Sequence, residues 1–263
     1  MQELEILKSV AEERKNNAID LVKRRLNNKL TGDLVQLYRQ MKEKGFAIVP
    51  DFLNVQECEN IMRWMDQTFT TNPKIWKDVV ESDHRIFFAN TASDQINAFY
   101  VNPVITQVLS TYEKTEDHAG FTLANKVVYK ANNPGSGGGW HRDFVKRKQT
   151  KAIVYLNDVT DRTGPFQFIA GTHLFKNIVK FQREFGFRYN QFRFTDDDIS
   201  CITEKYPELL FTAKGAAGTL ILVDTRGIHR GKPIEEGMRY ALTNYYWFKG
   251  SVPAHIRKLN PFV

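Results

Sequence analysis

The amino-acid sequence predicts a mainly β domain, a double-stranded β-helix or jelly-roll barrel, with helices flanking it. Three observations lead there. Stretches with period-two alternation or dense β-branched and aromatic content recur along the chain, and turns marked by glycine and proline separate them. Histidine and carboxylate side chains stand at the ends of two of these stretches, as in barrels whose strand ends carry a site. A single run of such features through 263 residues argues for one domain over 1–263, large enough that core size does not limit it.

Taken in order, residues 1–30 carry Leu4, Ile6, Leu7, Val10, Ala18, Ile19, Leu21, Val22 and Leu26 among Glu, Lys and Arg, the pattern of an amphipathic helix. This N-terminal helical segment, drawn over 1–40, is expected to cover the barrel; the other use of its apolar stripe is to join a second copy in a homo-oligomer. Residues 45–49 read as a first strand and 51–53 as a turn. A helix comes next over 55–69, where Cys58, Ile61, Met62 and Met65 recur at helical spacing, so the methionines belong to the core. From 70 to 102 the pattern is mixed. Within it Asp83-His84-Arg85 is a small cluster; His84 is a candidate to line a substrate cavity, too far from any partner motif to be a metal ligand.

Residues 121–130 alternate, with Thr122, Ala124, Lys126, Val128 and Lys130 on one face and Phe121, Leu123, Val127 and Tyr129 on the other. If the even face looks inward, Lys126 is a buried cation that needs an anion, the acid of a cosubstrate or substrate; otherwise it points to water. The glycine-rich loop 132–139 lacks the Gly-Lys-Ser/Thr ending of a phosphate loop and reads as a flexible lead into residues 140–143. Residues 151–158 form the next strand, and Gly164-Pro165 and Gly171 punctuate another short one. The segment 176–211 sets Arg183, Arg188 and Arg193 among six aromatic side chains and reads as an insertion covering the pocket. Inside it Thr195 and Asp198 have the spacing of a capping box, predicting a helix to about Tyr206. Residues 218–224 make a buried strand that delivers His229 at its end. Pro233 and Gly237 then break the chain before a strand over 238–248, and a hairpin between the two strands sets Arg239 near His229.

Composition narrows the class. The formal net charge of +7 fits a solvated lysine-rich surface as readily as an anionic partner, so charge alone selects nothing. Cys58 and Cys201 lack metal-ligand or disulfide spacing, which fits a reducing compartment. No apolar run approaches the roughly 20 residues of a membrane span, and the first residues lack a signal-peptide pattern. A soluble, cytoplasmic protein is expected.

The chemistry concentrates in Trp140-His141-Arg142-Asp143, where a histidine and a carboxylate two residues apart in an extended segment project from one face. His-x-Asp alone is a weak signal. With His229 it becomes two histidines and one carboxylate, the facial triad that suits ferrous iron and leaves three coordination positions open for chemistry. A guanidinium close by, Arg239, supplies a permanently charged fork for a carboxylate whose other end chelates the metal.

These residues resemble the phytanoyl-CoA dioxygenase-like family of iron(II)/2-oxoglutarate-dependent oxygenases. The matching pieces run in family order, from Gly45-Phe46-Ala47-Ile48-Val49-Pro50 through Trp140-His141-Arg142-Asp143 and Gly171-Thr172-His173 to His229 and Arg239. The resemblance implies a jelly-roll fold, iron held by His141, Asp143 and His229, and 2-oxoglutarate paired through its far carboxylate with Arg239. It implies oxidative decarboxylation of 2-oxoglutarate by molecular oxygen, to succinate and carbon dioxide, coupled to hydroxylation of an aliphatic carbon. Halogenases of the wider superfamily have a small residue where Asp143 stands, so hydroxylation is the expected outcome. His173 matches a histidine that in the family is structural or supports the metal ligands from behind, and is not itself a ligand. One departure is Gly231, where family members often carry a hydroxyl residue; Thr243, on the Arg239 face by parity, or Lys126 is the candidate substitute in binding 2-oxoglutarate.

Rival readings fall on named positions. A protein kinase also has His-Arg-Asp, but Lys148 replaces its asparagine and no Asp-Phe-Gly is present downstream. Nucleic-acid dealkylases need a second arginine six residues after the first, where this chain has Tyr245, so nucleic acid is not the expected partner. A jelly roll that binds an anionic ligand without catalysis is the remaining alternative. The arginines and aromatic rings of 176–211 favour a small anionic substrate with an apolar or ring-shaped body.

Overall fold

A computed structural model describes residues 30–143, 148–188, 190–248 and 250–263. The helix expected over residues 1–30 and its proposed role in self-association lie outside the described residues. The strands are β1 (Phe46–Val49), β2 (Trp76–Lys77), β3 (Asp83–Ile86), β4 (His118–Val128), β5 (Thr150–Tyr155), β6 (Phe166–Ile169), β7 (Leu210–Ala213), β8 (Leu220–Asp224), β9 (His229–Gly231) and β10 (Met238–Phe248). They form two antiparallel sheets, a large one ordered β1-β8-β5-β10-β4-β3-β2 and a small one ordered β7-β6-β9. The sheets face each other as a jelly roll.

Helices α1 (Asp33–Lys44), α2 (Val55–Thr71), α3 (Asp94–Tyr100) and α4 (Pro103–Glu113) precede most of the barrel. Helix α2 starts where Asn54 accepts from the Glu57 backbone N–H while the Glu57 side chain accepts from the Asn54 N–H, a closed capping box. Its buried residues, Cys58, Ile61, Met65 and Thr68, keep the predicted spacing. Helix α4 begins after Asn102, whose side chain accepts from Val104 N–H, with Pro103 at the first turn. Ile105, Val108, Leu109 and Tyr112 form its buried stripe, a periodicity the sequence displays plainly. These helices bury the outer face of the large sheet through Ala124, Ala152, Val154, Leu220, Leu222 and Leu242. Between the sheets lies a second core: Ile153, Tyr155, Ile221 and Ala241 from the large sheet meet Phe166, Phe168 and Ala213 from the small one.

The segment 176–211 contributes α5 (Phe175–Phe185) and α6 (Asp196–Lys205), the latter opened by the Thr195–Asp198 capping box. Ile178, Phe181, Phe187, Ile199 and Ile202 gather with Trp140 into a separate core. A last short helix, α7, spans Ala254–Arg257. Among the described residues no helix is long and apolar enough to cross a membrane.

One connection differs from expectation. The strand β10 does not form a hairpin with the strand before it; it pairs with β4 over its whole length and with β5. His229 lies not at the end of β8 but on β9, which belongs to the small sheet through β6. Residues 232–237 therefore cross from one sheet to the other. The turn residues were legible, but turn chemistry reports a break in the chain and not the strand that pairs on the other side.

Candidate metal centre

Alternation along the central strands decides what reaches the space between the sheets. On β3, β4, β5 and β10 the odd-numbered residues point inward: Asp83 and Arg85, Leu123 and Asn125, Lys151, Ile153 and Tyr155, Arg239, Ala241, Thr243 and Tyr245 all line one cavity of about 520 Å³. From the opposite side His141, Asp143 and His229 line the same cavity.

The two histidines are fixed to each other by backbone. His141 N–H donates to His229 O and His229 N–H to His141 O, both at 2.9 Å, and Asp143 N–H donates to Thr225 O at 3.0 Å. Each ring is oriented by the carbonyl two residues before it: His141 Nδ1 lies 2.9 Å from Gly139 O and His229 Nδ1 2.9 Å from Gly227 O. The Nδ1 atoms therefore carry the protons, and the Nε2 lone pairs face the cavity. Asp143 Oδ1 stands 3.6 Å from His141 Nε2 and 3.9 Å from His229 Nε2. One donor atom from each of the three residues lies within 4.8 Å of the others. Burial pushes the His229 imidazole down to about 3, which keeps it neutral and able to bind a metal. Burial opposes ionisation of Asp143, but the Lys151 ammonium overrides it and holds the carboxyl well below its usual range. Two imidazole nitrogens and a carboxylate on one face fit a ferrous ion.

Arg239 is buried on the large sheet. Its Nη1 donates to Gly164 O and its Nη2 to Asn125 Oδ1 at 3.4 Å, while Nε is buried with no partner among the described residues. No ion pair reaches this guanidinium among the described residues, and burial disfavours its charge. An organic acid entering the cavity would supply both the missing acceptor and the counter-charge. Thr243 lies on the same wall, as parity predicted.

Lys126 does not share that wall. Even-numbered residues of β4 face the helices, and Lys126 Nζ pairs with Asp66 Oδ1 of α2 at 2.8 Å and lies over the Tyr240 ring. The condition for its inward role, an even face turned into the barrel, is not met. His84 points the same outward way, toward Phe69, while its neighbours Asp83 and Arg85 line the cavity. Of the three arginines expected over the pocket, Arg193 lines it, its Nη1 donating to Gly137 O and Gly138 O at 2.7 and 3.0 Å; Arg183 and Arg188 are exposed.

Several contributors were not singled out from sequence. Lys151 lies 2.6 Å from Asp143 Oδ2. The sequence marked it only as a lysine in an apolar strand, a description Lys126 shares. Asn125 ties Arg239 to Asp83, its Nδ2 donating to Asp83 Oδ1. Ser136 stands where Gly231 lacks a side chain: a Cβ on Gly231 would come within 2.9 Å of Ser136 Cβ and O. The glycine at 231 thus admits the loop, and with it the Ser136 hydroxyl, to the cavity wall.

The phytanoyl-CoA dioxygenase family profile matches residues 41–238. No match was found among curated proteins. Among solved structures, the non-heme alpha ketoglutarate dependent epimerase SnoN from nogalamycin biosynthesis, in complex with Fe3+, alpha ketoglutarate and nogalamycin RO, aligns at 16% identity and a TM-score of 0.63 over 86% of this chain and 88% of that one. EctD from S. alaskensis aligns at 15% identity and a TM-score of 0.61 over 85% and 81%. HygX from Streptomyces hygroscopicus, with nickel, 2-oxoglutarate and hygromycin B bound, aligns at 13% identity and a TM-score of 0.56 over 87% and 94%. At these identities the likeness is one of fold.

Proposed function

Because the chain belongs to the phytanoyl-CoA dioxygenase family of iron(II)/2-oxoglutarate-dependent oxygenases, we propose that it hydroxylates an aliphatic carbon of a small anionic molecule. The observation that carries this reading is the meeting of His141, Asp143 and His229 with an unpaired Arg239 Nε in one cavity. Iron and 2-oxoglutarate held by these residues would let molecular oxygen act as the oxidant, one oxygen atom going to succinate, formed with carbon dioxide, and the other to the substrate.

The chain's own residues bind and orient. His141 and His229 offer Nε2 to the metal, and Asp143 offers Oδ1. Arg239 takes the far carboxylate of 2-oxoglutarate, with Thr243 and the Ser136 hydroxyl as polar neighbours on the wall. Arg193 remains as a guanidinium for the acid of the substrate, and Trp76 and Tyr245, whose rings Arg85 and Lys151 partly cover, stand beside its apolar body. The strands and the insertion act together as one oxygenase domain.

The test is an anaerobic titration of the metal-free protein with iron(II) and then 2-oxoglutarate, read by the weak visible charge-transfer band. The band is expected in the native protein and absent in His141→Ala and Arg239→Ala. Iron binding without a band argues for another metal function, and no iron binding at all for a binding protein without catalysis. The outcome of turnover needs its own measurement, since SnoN is an epimerase. With labelled oxygen, a hydroxylase places the label in its product; an epimerised product without label overturns the hydroxylase reading.

A further inference from the structure

The cavity contains one cation whose place the oxygenase reading does not explain. Lys151 sits on β5, an interior strand between β8 and β10, and its side chain is 8% exposed. Its Nζ lies 2.6 Å from Asp143 Oδ2 and 4.4 Å from the centroid of the Tyr245 ring, its cross-strand partner. The backbone at 151 is held between two neighbouring strands by pairing with Val223 and Tyr245, and the side chain that rises from it is buried against Asp143.

The two oxygens of Asp143 are thereby assigned different neighbours. Oδ1 faces the Nε2 atoms of both histidines, and Oδ2 faces Lys151. A carboxylate held this way can give a metal one oxygen only, because turning Oδ2 toward the same ion breaks a buried ion pair. The ammonium also draws electron density from the carboxylate, which weakens it as a donor. Neutralising a buried aspartate is an insufficient account of a lysine here. Once a dication occupies the site, a second positive charge beside its ligand repels it, and a neutral donor such as glutamine would hold Oδ2 without that cost.

We propose that Lys151 is a positioning residue for the metal centre, holding Asp143 as a one-oxygen ligand and raising the potential of the iron it binds. This rests on the reading of His141, Asp143 and His229 as the iron ligands. Arg85, another cation on the same wall, is excluded from that part because it forks onto Asp83 through Nε and Nη2 and stacks on Trp76.

The experiment compares the native protein with Lys151→Gln, Lys151→Met and Lys151→Arg, each loaded anaerobically with iron(II) and 2-oxoglutarate. Two quantities are read, the position of the charge-transfer band and the iron(III)/iron(II) potential. Lys151→Gln keeps a donor without the charge; its band is expected at longer wavelength and its potential more negative than in the native protein. Lys151→Met shifts both the same way, and Lys151→Arg restores both. Native values in iron-loaded Lys151→Gln overturn the proposal. So does loss of iron from both neutral variants that Lys151→Arg does not restore, which leaves the lysine a structural role only. Failure of the native protein to bind iron defeats the reading of the three ligands instead, and is seen before any variant is examined.

Discussion

His173 and His229 are both buried, and burial drives both imidazoles down, to about 4 and about 3, for different ends. His229 must stay neutral to offer Nε2 to a metal. His173 lies under α1, its Nε2 3.2 Å from Lys42 O, and serves the fold. A depressed imidazole is uncharged in the folded chain, so the stability it contributes is complete above 6.5 and is lost as pH falls toward about 4. Between pH 7.5 and 5.5 the native protein should lose about 1 kcal/mol relative to His173→Gln, measured by urea unfolding at each pH. Equal losses in both proteins would place the titration elsewhere. At this scale the metal ligands were legible because three uncommon side chains recur in a known order. Lys126 and Lys151 were not separable by type. Each lies in a strand with apolar neighbours, and which parity faces inward is set by the sheet partner, a long-range fact absent from either strand's own pattern.

The loop before the metal strand shows how an element serves a site through backbone conformation. Gly137 has φ +90, and a Cβ there would lie 2.6 Å from His141 Cε1. A side chain at 137 is thus strained by its own backbone and pushes on the ring of a metal ligand. Gly137→Ala is expected to fold with a loss of about 1 kcal/mol and to bind manganese(II), a redox-stable stand-in, at least roughly tenfold more weakly in calorimetric titration. Unchanged affinity would mean that His141 has room to move. The capping boxes at Asn54 and Thr195 are local, one turn deep, and the latter was legible in the sequence by its spacing. Helix α4 is local in the same way, with Asn102-Pro103 and its apolar stripe, though it was not among the elements read from the sequence. The strand pairing after His229 was of another kind. The strand over 238–248 was legible and β9 was not, and their partners lie about 120 residues away in β4 and about 60 away in β6, which a turn signal does not report.

For the molecule as a whole, the fold class was legible from alternation, turns and ligand placement, while the assignment of strands to sheets was not. That assignment has a functional side. His229, with His141 bridged to it, belongs to the small sheet, and Arg239 to the large one. The sheets are held apart around the cavity by the packing of Ile153, Tyr155, Phe166 and Ala241, all of which line it. Close-packed interiors resist both compression and stretching, so this separation does not adjust to its guest. The sandwich is therefore a calliper whose jaws are a metal and a guanidinium, and its setting is the thickness of a core. A keto diacid one carbon shorter or longer than 2-oxoglutarate can meet one jaw or the other but not both. Oxaloacetate and 2-oxoadipate should accordingly compete for the iron-loaded protein at least roughly tenfold less well, and Ala241→Val, which thickens the layer, should move the preference rather than weaken all three alike.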